Sequence, residues 1–479
     1  MLMKTDSKLF GFLTTAVLLS LLVALAEWRP AYFTNAKVLG GLLLMQAVIV
    51  AVWHYEKWFF AVMMLTFLWA GTDLPLSGVG TTSRWIFLGV GALVGIVKWL
   101  ERDRRQSFNA IHFVAMLCVL SALVSSMVSR LMELSLLKSG SFFLLFLYET
   151  GGARVAVAGR ERAFFSGLVT ACEALTYFSA LCYWGLHYEV FGNPNSLGAI
   201  MGVVVVPILL WAVLCTDERH LRHRLAFALF LAAGLLYYSV SRASILACAV
   251  AVIVMCVSLR RHHLLIKGVF ALIFLVAATA VLQPQKFDSL VSSFTEEVIY
   301  KGKRDQGILG SRESPWQETV GVIKENPWFG TGFGTDVVVQ LQPVSSGLVF
   351  STSAAQAREH GNSYLAILDY VGLLGISPFV IVLGLILRQV YRGYSRMWRT
   401  RDVHAFSVPL VLVCMAGLVH AFFEDWLFAV GFHLNVFFWT AVFVLAELQS
   451  SGLPETVSVS AAWRRLNMPV RPVPASSPR

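Results

Sequence analysis

Residues 196–215 read SLGAIMGVVVVPILLWAVLC, twenty consecutive residues without a charge. A helix crossing a bilayer needs about 20 mainly apolar residues, so this stretch is long enough to span one. Comparable stretches flank it on both sides: 9–27, 38–53, 58–73, 84–100, 110–128, 131–148 and 163–186 before it, and 225–240, 243–259, 264–282, 363–387, 405–421 and 428–446 after it. That makes fourteen candidates, several of them short, and predicts 12–14 transmembrane helices. Composition agrees, with 57% hydrophobic and only 14% charged residues in a chain of 479, against roughly 25% charged in soluble domains. Thirty-four Phe and fourteen Trp leave too little polar surface to cover soluble domains of this size. The fold class is therefore an all-α polytopic membrane protein. A water-soluble enzyme, a disordered scaffold and a disulfide-stapled secreted domain are excluded.

Charge placement predicts sidedness. With fourteen spans, the loops at 98–106, 153–162, 217–224, 260–267 and 388–401 fall on one side, together with both termini and Lys57. That side collects 25 of the 38 Lys and Arg, while seven of the remaining 13 lie in the polar stretch 283–362 beside nine Asp and Glu. Cytoplasmic loops carry the Lys/Arg excess. Both termini are thus expected in the cytoplasm, and 283–362 outside. The formal charge of +10 belongs to these membrane loops and does not indicate nucleic acid. The expected organisation is a bundle of about eleven helices over 1–282, an outer loop over 283–362, about three further helices over 363–446, and a disordered, basic cytoplasmic tail over 447–479. The run 9–27 reads as a retained first membrane helix and not as a cleaved signal. Seven Cys, an odd number spread through apolar stretches with no CxxC pair, read as small packing residues.

An 80-residue polar segment inside such a chain is seldom a passive connector. Between Ser311 and Asp336 it reads SRESPWQETVGVIKENPWFGTGFGTD. Ser314, Pro315 and Gln317 form a capping box with Pro at the first helical position, predicting an amphipathic helix near 315–325. Trp316, Val320 and Ile323 would form its apolar stripe, and Asn326-Pro327 would stop it. Trp316, Trp328 and Phe329 suit the headgroup zone. Gly330, Gly332 and Gly334 read as a tight turn requiring positive φ, in preference to a phosphate cradle.

Several polar groups gather on the same predicted side. Arg242, beside Ser241 at the opening of a span, is either a snorkelling anchor or a phosphate ligand. Arg312 and Arg358 lie in the loop. His360, with Glu359 beside it and Asn362 two residues on, is either a structural histidine or a base with orienting neighbours. Asn193 and Asn195 in the 192–195 turn, and the turn His-Ala-Phe-Phe-Glu-Asp-Trp at 420–426, face the same way. Glu173 and Lys138 read as a buried pair, and Asp369 as structural or cavity-lining. No HExxH, paired Cys or clustered Asp motif suggests a bound metal.

These residues resemble the O-antigen ligase and polymerase superfamily of membrane glycosyltransferases. The likeness rests on Ser241-Arg242 opening a span, on Asn-Pro-Trp-Phe-Gly-Thr-Gly-Phe-Gly at 326–334, and on His360-Gly361-Asn362-Ser363-Tyr364-Leu365 running into Val371-Gly372-Leu373-Leu374-Gly375. It covers about 190–380. The resemblance implies a GT-C-like membrane fold, no cofactor, and a glycan donor on undecaprenyl diphosphate in the bacterial inner membrane. It implies a metal-independent, inverting transfer at the periplasmic face to a sugar hydroxyl, carried by lipid A-core in a ligase or by a second lipid-linked repeat in a polymerase. Arg242, Arg312 and Arg358 would bind the diphosphate, with Arg242 and His360 catalytic. His360 would take the hydroxyl proton or orient the group. Asn362, Glu359, Asn193 and Asn195 would position substrate. A flippase is the competing class, which calls for internal symmetry and polar groups near the midplane. Neither is evident.

Overall fold

The computed structural model describes residues 59–75, 77–100, 109–157, 159–263, 265–268, 310–335 and 360–450, with isolated positions at 20, 27, 270 and 277. The stretches 38–53, nearly all of 9–27 and most of 264–282 lie outside these residues, as do the tail from 451 and both Arg358 and Glu359. The described chain is helical throughout, as an all-α polytopic membrane protein must be, because only helices satisfy their own backbone polar groups in lipid. The helices are α1 (Phe59–Ala70), α2 (Ser77–Leu100), α3 (Ala110–Val128), α4 (Met132–Val157), α5 (Glu161–Gly185) and α6 (Pro194–Cys215). They continue with α7 (Arg219–Tyr238), α8 (Arg242–Ser258), α9 (Gly310–Glu325), α10 (Ser363–Thr400), α11 (Ser407–His420) and α12 (His433–Ser450). Five of them, α2, α3, α5, α6 and α10, are long and apolar enough to cross a membrane, and α1, α8, α11 and α12 are shorter apolar helices.

The opening twenty-residue stretch becomes α6, the most enclosed of the long helices, 83% buried across its apolar window. Its sequence is apolar all round because protein surrounds it all round. Pro207 cannot donate to the carbonyl four residues back, and the turn ahead of it, Ile200–Val205, widens to π geometry. Around α6 pack α7, α8 and α11, while α10 lies on α3, α9 and α11, and α4 joins α2, α3 and α12. All seven Cys are free and buried, which agrees with packing roles.

Three local expectations need correction. The arginine-rich stretch 388–401, read as a loop, continues α10 as far as Thr400. At about 1.5 Å per residue α10 outruns the hydrocarbon thickness, so its last turns can be both helical and charged. Cations at a helix C-terminus also oppose the backbone dipole favourably. Helix α9 starts at Gly310 and holds Pro315 inside it, so the Ser314 capping box does not form. Its inner face carries Trp316 and fully buried Thr319, while Val320 is exposed. Lastly, Glu173 pairs with Arg224 at 2.8 Å, and Lys138 instead donates to the Gly334 carbonyl. Helix α9 does stop ahead of Asn326-Pro327, as the sequence predicts.

Helix α10 is interrupted at Gly372, whose φ of 63° and ψ of −174° lie outside helical space. The break strands carbonyls before it and amides after it, and the 326–335 turn supplies partners for both. Thr331 N and Gly332 N donate to the carbonyls of Asp369 and Tyr370 at 2.8 and 3.1 Å. Leu373 N and Leu374 N donate to those of Pro327 and Trp328 at 2.8 and 3.0 Å. Ser125 Oγ on α3 donates to the Phe329 carbonyl at 3.0 Å. Gly330, Gly332 and Gly334 all have positive φ, the turn the sequence predicts. The Thr331 and Gly332 amides are spent on α10, which removes the phosphate-cradle reading.

A methyl group at Gly372 would lie 2.4 Å from the Trp328 carbonyl oxygen and 2.5 Å from Gly330 N. A side chain there also meets the left-handed penalty of about 1–2 kcal/mol. Gly372→Ala should lower stability in detergent by more than about 2 kcal/mol and speed amide exchange at Leu373 and Leu374. Gly384→Ala, which meets nothing within 4 Å, should stay within about 1 kcal/mol of the parent. Thermal unfolding and hydrogen-exchange mass spectrometry check both.

Candidate functional site

The first turn of α8, the first turns of α10, the end of α11 and one face of α9 meet at one end of the bundle. The segment after α11 is stitched to the start of α10. Ser363 N donates to Ala421 O at 2.8 Å, Ser363 Oγ donates to Glu424 O at 2.6 Å, and Leu427 N donates back to Ser363 Oγ at 3.1 Å. Tyr364 adds a hydrogen bond to Leu418 O at 2.8 Å and a ring contact with Phe422 at 4.5 Å. Asn362 caps α10, its carboxamide oxygen accepting from Tyr364 N and Leu365 N at 2.8 and 3.2 Å. Such a cap satisfies amides that would otherwise be orphaned at the helix start.

His360 sits immediately before this cap and is only 2% exposed. Its Nε2 lies 2.9 Å from Asp369 Oδ2. Its Nδ1 lies 3.4 Å from Asp425 Oδ2, which also accepts from the His360 backbone N–H at 3.2 Å. Asp369 reaches the ring because it lies about two turns into α10, just ahead of the Gly372 break. Burial acts against a charged imidazole, but hydrogen bonds and charge from Asp369 and Asp425 outweigh it and raise the His360 pKa above its ordinary value. For Asp425, burial acts upward and the His360 contacts outweigh it, so its carboxyl sits below the usual range. The arrangement favours an imidazolium held between two carboxylates.

Arg312, projecting from α9, forms an ion pair with Glu424. It lies against Gly361, where an added methyl would stand 3.2 Å from Arg312 Nη1. Positive φ at Gly361 turns its carbonyl to accept from Trp316 Nε1 at 3.0 Å. Trp316 therefore fastens α9 to the His360 turn, while Trp328 and Phe329 are the exposed aromatics. Arg242 opens α8 near enough to Arg312 for the two charges to repel. A buried chain anchors that end of α8. Trp426 Nε1 donates to His420 Nδ1 at 2.8 Å, His420 Nε2 lies 3.0 Å from Ser244 Oγ, and Ser244 Oγ lies 2.8 Å from Ser241 Oγ.

The structure thus brings together Arg242, Arg312, His360 and Asn362 from the sequence-predicted set. The partners orienting His360 among the described residues are Asp369 and Asp425, whereas Asn362 serves α10. Asn193 caps α6 through Asn195 N at 2.8 Å. Sequence reasoning gave no role to Glu424 and Asp425. The one available signal was the acidic pair in the 420–426 turn, on the predicted side of the cations. The carboxylates approach opposite nitrogens of one ring and so cannot converge on one ion. Among the described residues no group of His, Cys, Asp and Glu has the geometry of a metal site.

Residues 225–380 match the family model described as O-antigen ligase. The chain carries an O-antigen ligase domain. Over that segment this multi-pass membrane protein is similar to the O-antigen ligases, a family whose glycosyltransferase-like activity uses lipid-linked glycans. The matched segment contains Arg242, Arg312, His360 and Asp369, and ends before Glu424 and Asp425. No curated protein matches the chain.

The clamp predicts a pH signature. A raised His360 pKa contributes stability in full below its ordinary 6.5, lost as pH climbs through the raised value. A lowered Asp425 pKa contributes stability above its ordinary 3.8, lost as pH falls through the depressed value. The melting temperature should therefore fall on either side of the window between these ordinary values. His360→Gln should flatten the alkaline fall. Tm against pH, measured in detergent by tryptophan fluorescence, reads the difference.

Proposed function

We propose that the protein transfers a glycan from undecaprenyl diphosphate to a sugar hydroxyl, as a ligase acting on lipid A-core. It would do so at the periplasmic face of the bacterial inner membrane, with both termini in the cytoplasm. The observation that supports this reading is that Arg312 lies against Gly361, next to His360, with Arg242 from a distant helix near enough to Arg312 for their charges to act on each other. Glu424 holds Arg312 in place, and the planar guanidinium fork of each arginine suits phosphate oxygens. A prenyl chain requires bilayer access, which an apolar bundle beside the site provides.

The chemistry is a single displacement. The acceptor oxygen attacks the anomeric carbon from the face opposite the diphosphate, which inverts the configuration. The carbon–oxygen bond to phosphate breaks and its electron pair leaves on the diphosphate. Negative charge grows on that oxygen in the transition state, where fixed cations are most effective. Diphosphate is already a good leaving group, so arginines can do what a divalent ion does elsewhere. The proton of the acceptor hydroxyl passes to the group centred on His360. Arg358 is the proposed third cation, and Glu359, Asn362, Asn193 and Asn195 the proposed substrate-positioning groups.

Purified protein supplied with a synthetic undecaprenyl-diphosphate oligosaccharide and lipid A-core should transfer in excess EDTA. Arg242→Ala and His360→Ala should each lower the rate by about 10²-fold or more while the protein stays folded. Full activity in both variants would remove the site. Product mass separates the acceptors: glycan on lipid A-core marks a ligase, whereas a lengthened glycan on prenyl diphosphate marks a polymerase.

A further inference from the structure

We infer that the carboxylate of Asp425, and not the imidazole of His360, meets the acceptor hydroxyl and takes its proton, with His360 and Asp369 as positioning residues behind it. The inference rests on the glycosyl-transfer reading and specifies which atom receives the proton.

The geometry is a matter of reach. His360 is 2% exposed and Asp369 side-chain exposure is zero, whereas the Asp425 side chain is 35% exposed. Both ring nitrogens of His360 already face carboxylate oxygens. A base needs a free lone pair within hydrogen-bond reach of the proton it removes, and this ring presents none toward substrate. Asp425 does. Its Oδ2 is occupied by the His360 backbone amide and Nδ1, while about a third of its side chain stays open to solvent. Glu424, the adjacent carboxylate, is less exposed and is committed to Arg312. The order Asp369–His360–Asp425 runs from the interior to the surface, so two residues fix the orientation of the third.

The step balances. The acceptor O–H bond breaks and its proton goes to Asp425 Oδ1. The oxygen lone pair forms the bond to the anomeric carbon, and the diphosphate leaves with the electrons of the broken bond. Among the described residues, the charged groups near Asp425 are His360 in direct contact, Asp369 across the ring, and the Arg312–Glu424 pair on the adjacent residue. Of these, His360 touches the carboxylate and sets its proton affinity.

The test compares kcat against pH for the parent, Asp425→Asn, Asp425→Glu and His360→Gln, using the synthetic undecaprenyl-diphosphate oligosaccharide and lipid A-core. Asp425→Asn should lower kcat by about 10²-fold or more with donor KM little changed, and Asp425→Glu should restore part of it. In the parent, activity should fall at acid pH within the carboxylate range. In His360→Gln the carboxylate loses its cationic neighbour, its pKa rises, and the acid limb moves to higher pH while transfer remains measurable. A parent limb in the imidazole range that vanishes with His360→Gln, or Asp425→Asn within about tenfold of the parent, would overturn the inference. Were Asp425→Asn to misfold, the Asp425→Glu rescue and the His360→Gln limb shift would decide it. A folded parent that transfers nothing, to lipid A-core or to a second donor molecule, would overturn the glycosyl-transfer reading itself, before any variant is compared.

Discussion

A broken helix whose exposed backbone groups are taken up by a glycine-rich turn is the constraint on which the site depends. Two amides of the turn close the carbonyls of Asp369 and Tyr370, and two of its carbonyls close the amides of Leu373 and Leu374. Within a membrane bundle such groups have no water to turn to, and each costs several kcal/mol if left unmade. The break and the turn are therefore only stable together. Their union fixes where Asp369 stands on the first segment of α10, and Asp369 fixes the ring of His360. It also places α9, which runs directly into the turn, over the start of α10, so that Trp316 can reach Gly361 and Arg312 can reach Glu424.

Much of this was legible in the sequence, for identifiable reasons. The apolar stretches announced their helices because hydrocarbon tolerates little else over twenty residues, and most of the fourteen coincide with helices where the structure describes them. The glycine turn was legible because three glycines in five residues leave few other conformations. The end of α10 was not, since arginines were read as a sign of loop although they are good helix formers once clear of the hydrocarbon. The start of α9 was misplaced because a proline early in a helix costs only a hydrogen bond to its first turn, and tertiary packing can bear that.

The ring partners of His360 show where sequence reading stops. Its neighbours Glu359 and Asn362 were the natural candidates to orient it, being adjacent. Adjacency is a poor guide at a helix start, where the residue at the cap position is claimed by the backbone. Asn362 is claimed in this way. The side chains that do hold the ring come from nine and sixty-five residues away, brought there by the α10 start and by the stitching of Ser363 to the segment after α11. Only the fold can bring a contact of that range together. What the sequence did show was a polar turn, His-Ala-Phe-Phe-Glu-Asp-Trp, too acidic to be a passive link between two apolar helices.

Residues 225–380 contain Arg242, Arg312, His360 and the inner carboxylate of Asp369. The outer carboxylates Glu424 and Asp425 come from beyond it, on the link between α11 and α12. Arg312 pairs with Glu424, and His360 lies between Asp369 and Asp425, pairings that let these polar groups sit at the edge of an apolar bundle. Arg312 on its own would repel Arg242. Paired with Glu424 it is held in place while its neighbour stays close. The cationic residues lie inside the shared domain, and the residues that set their geometry and proton affinity lie partly outside it.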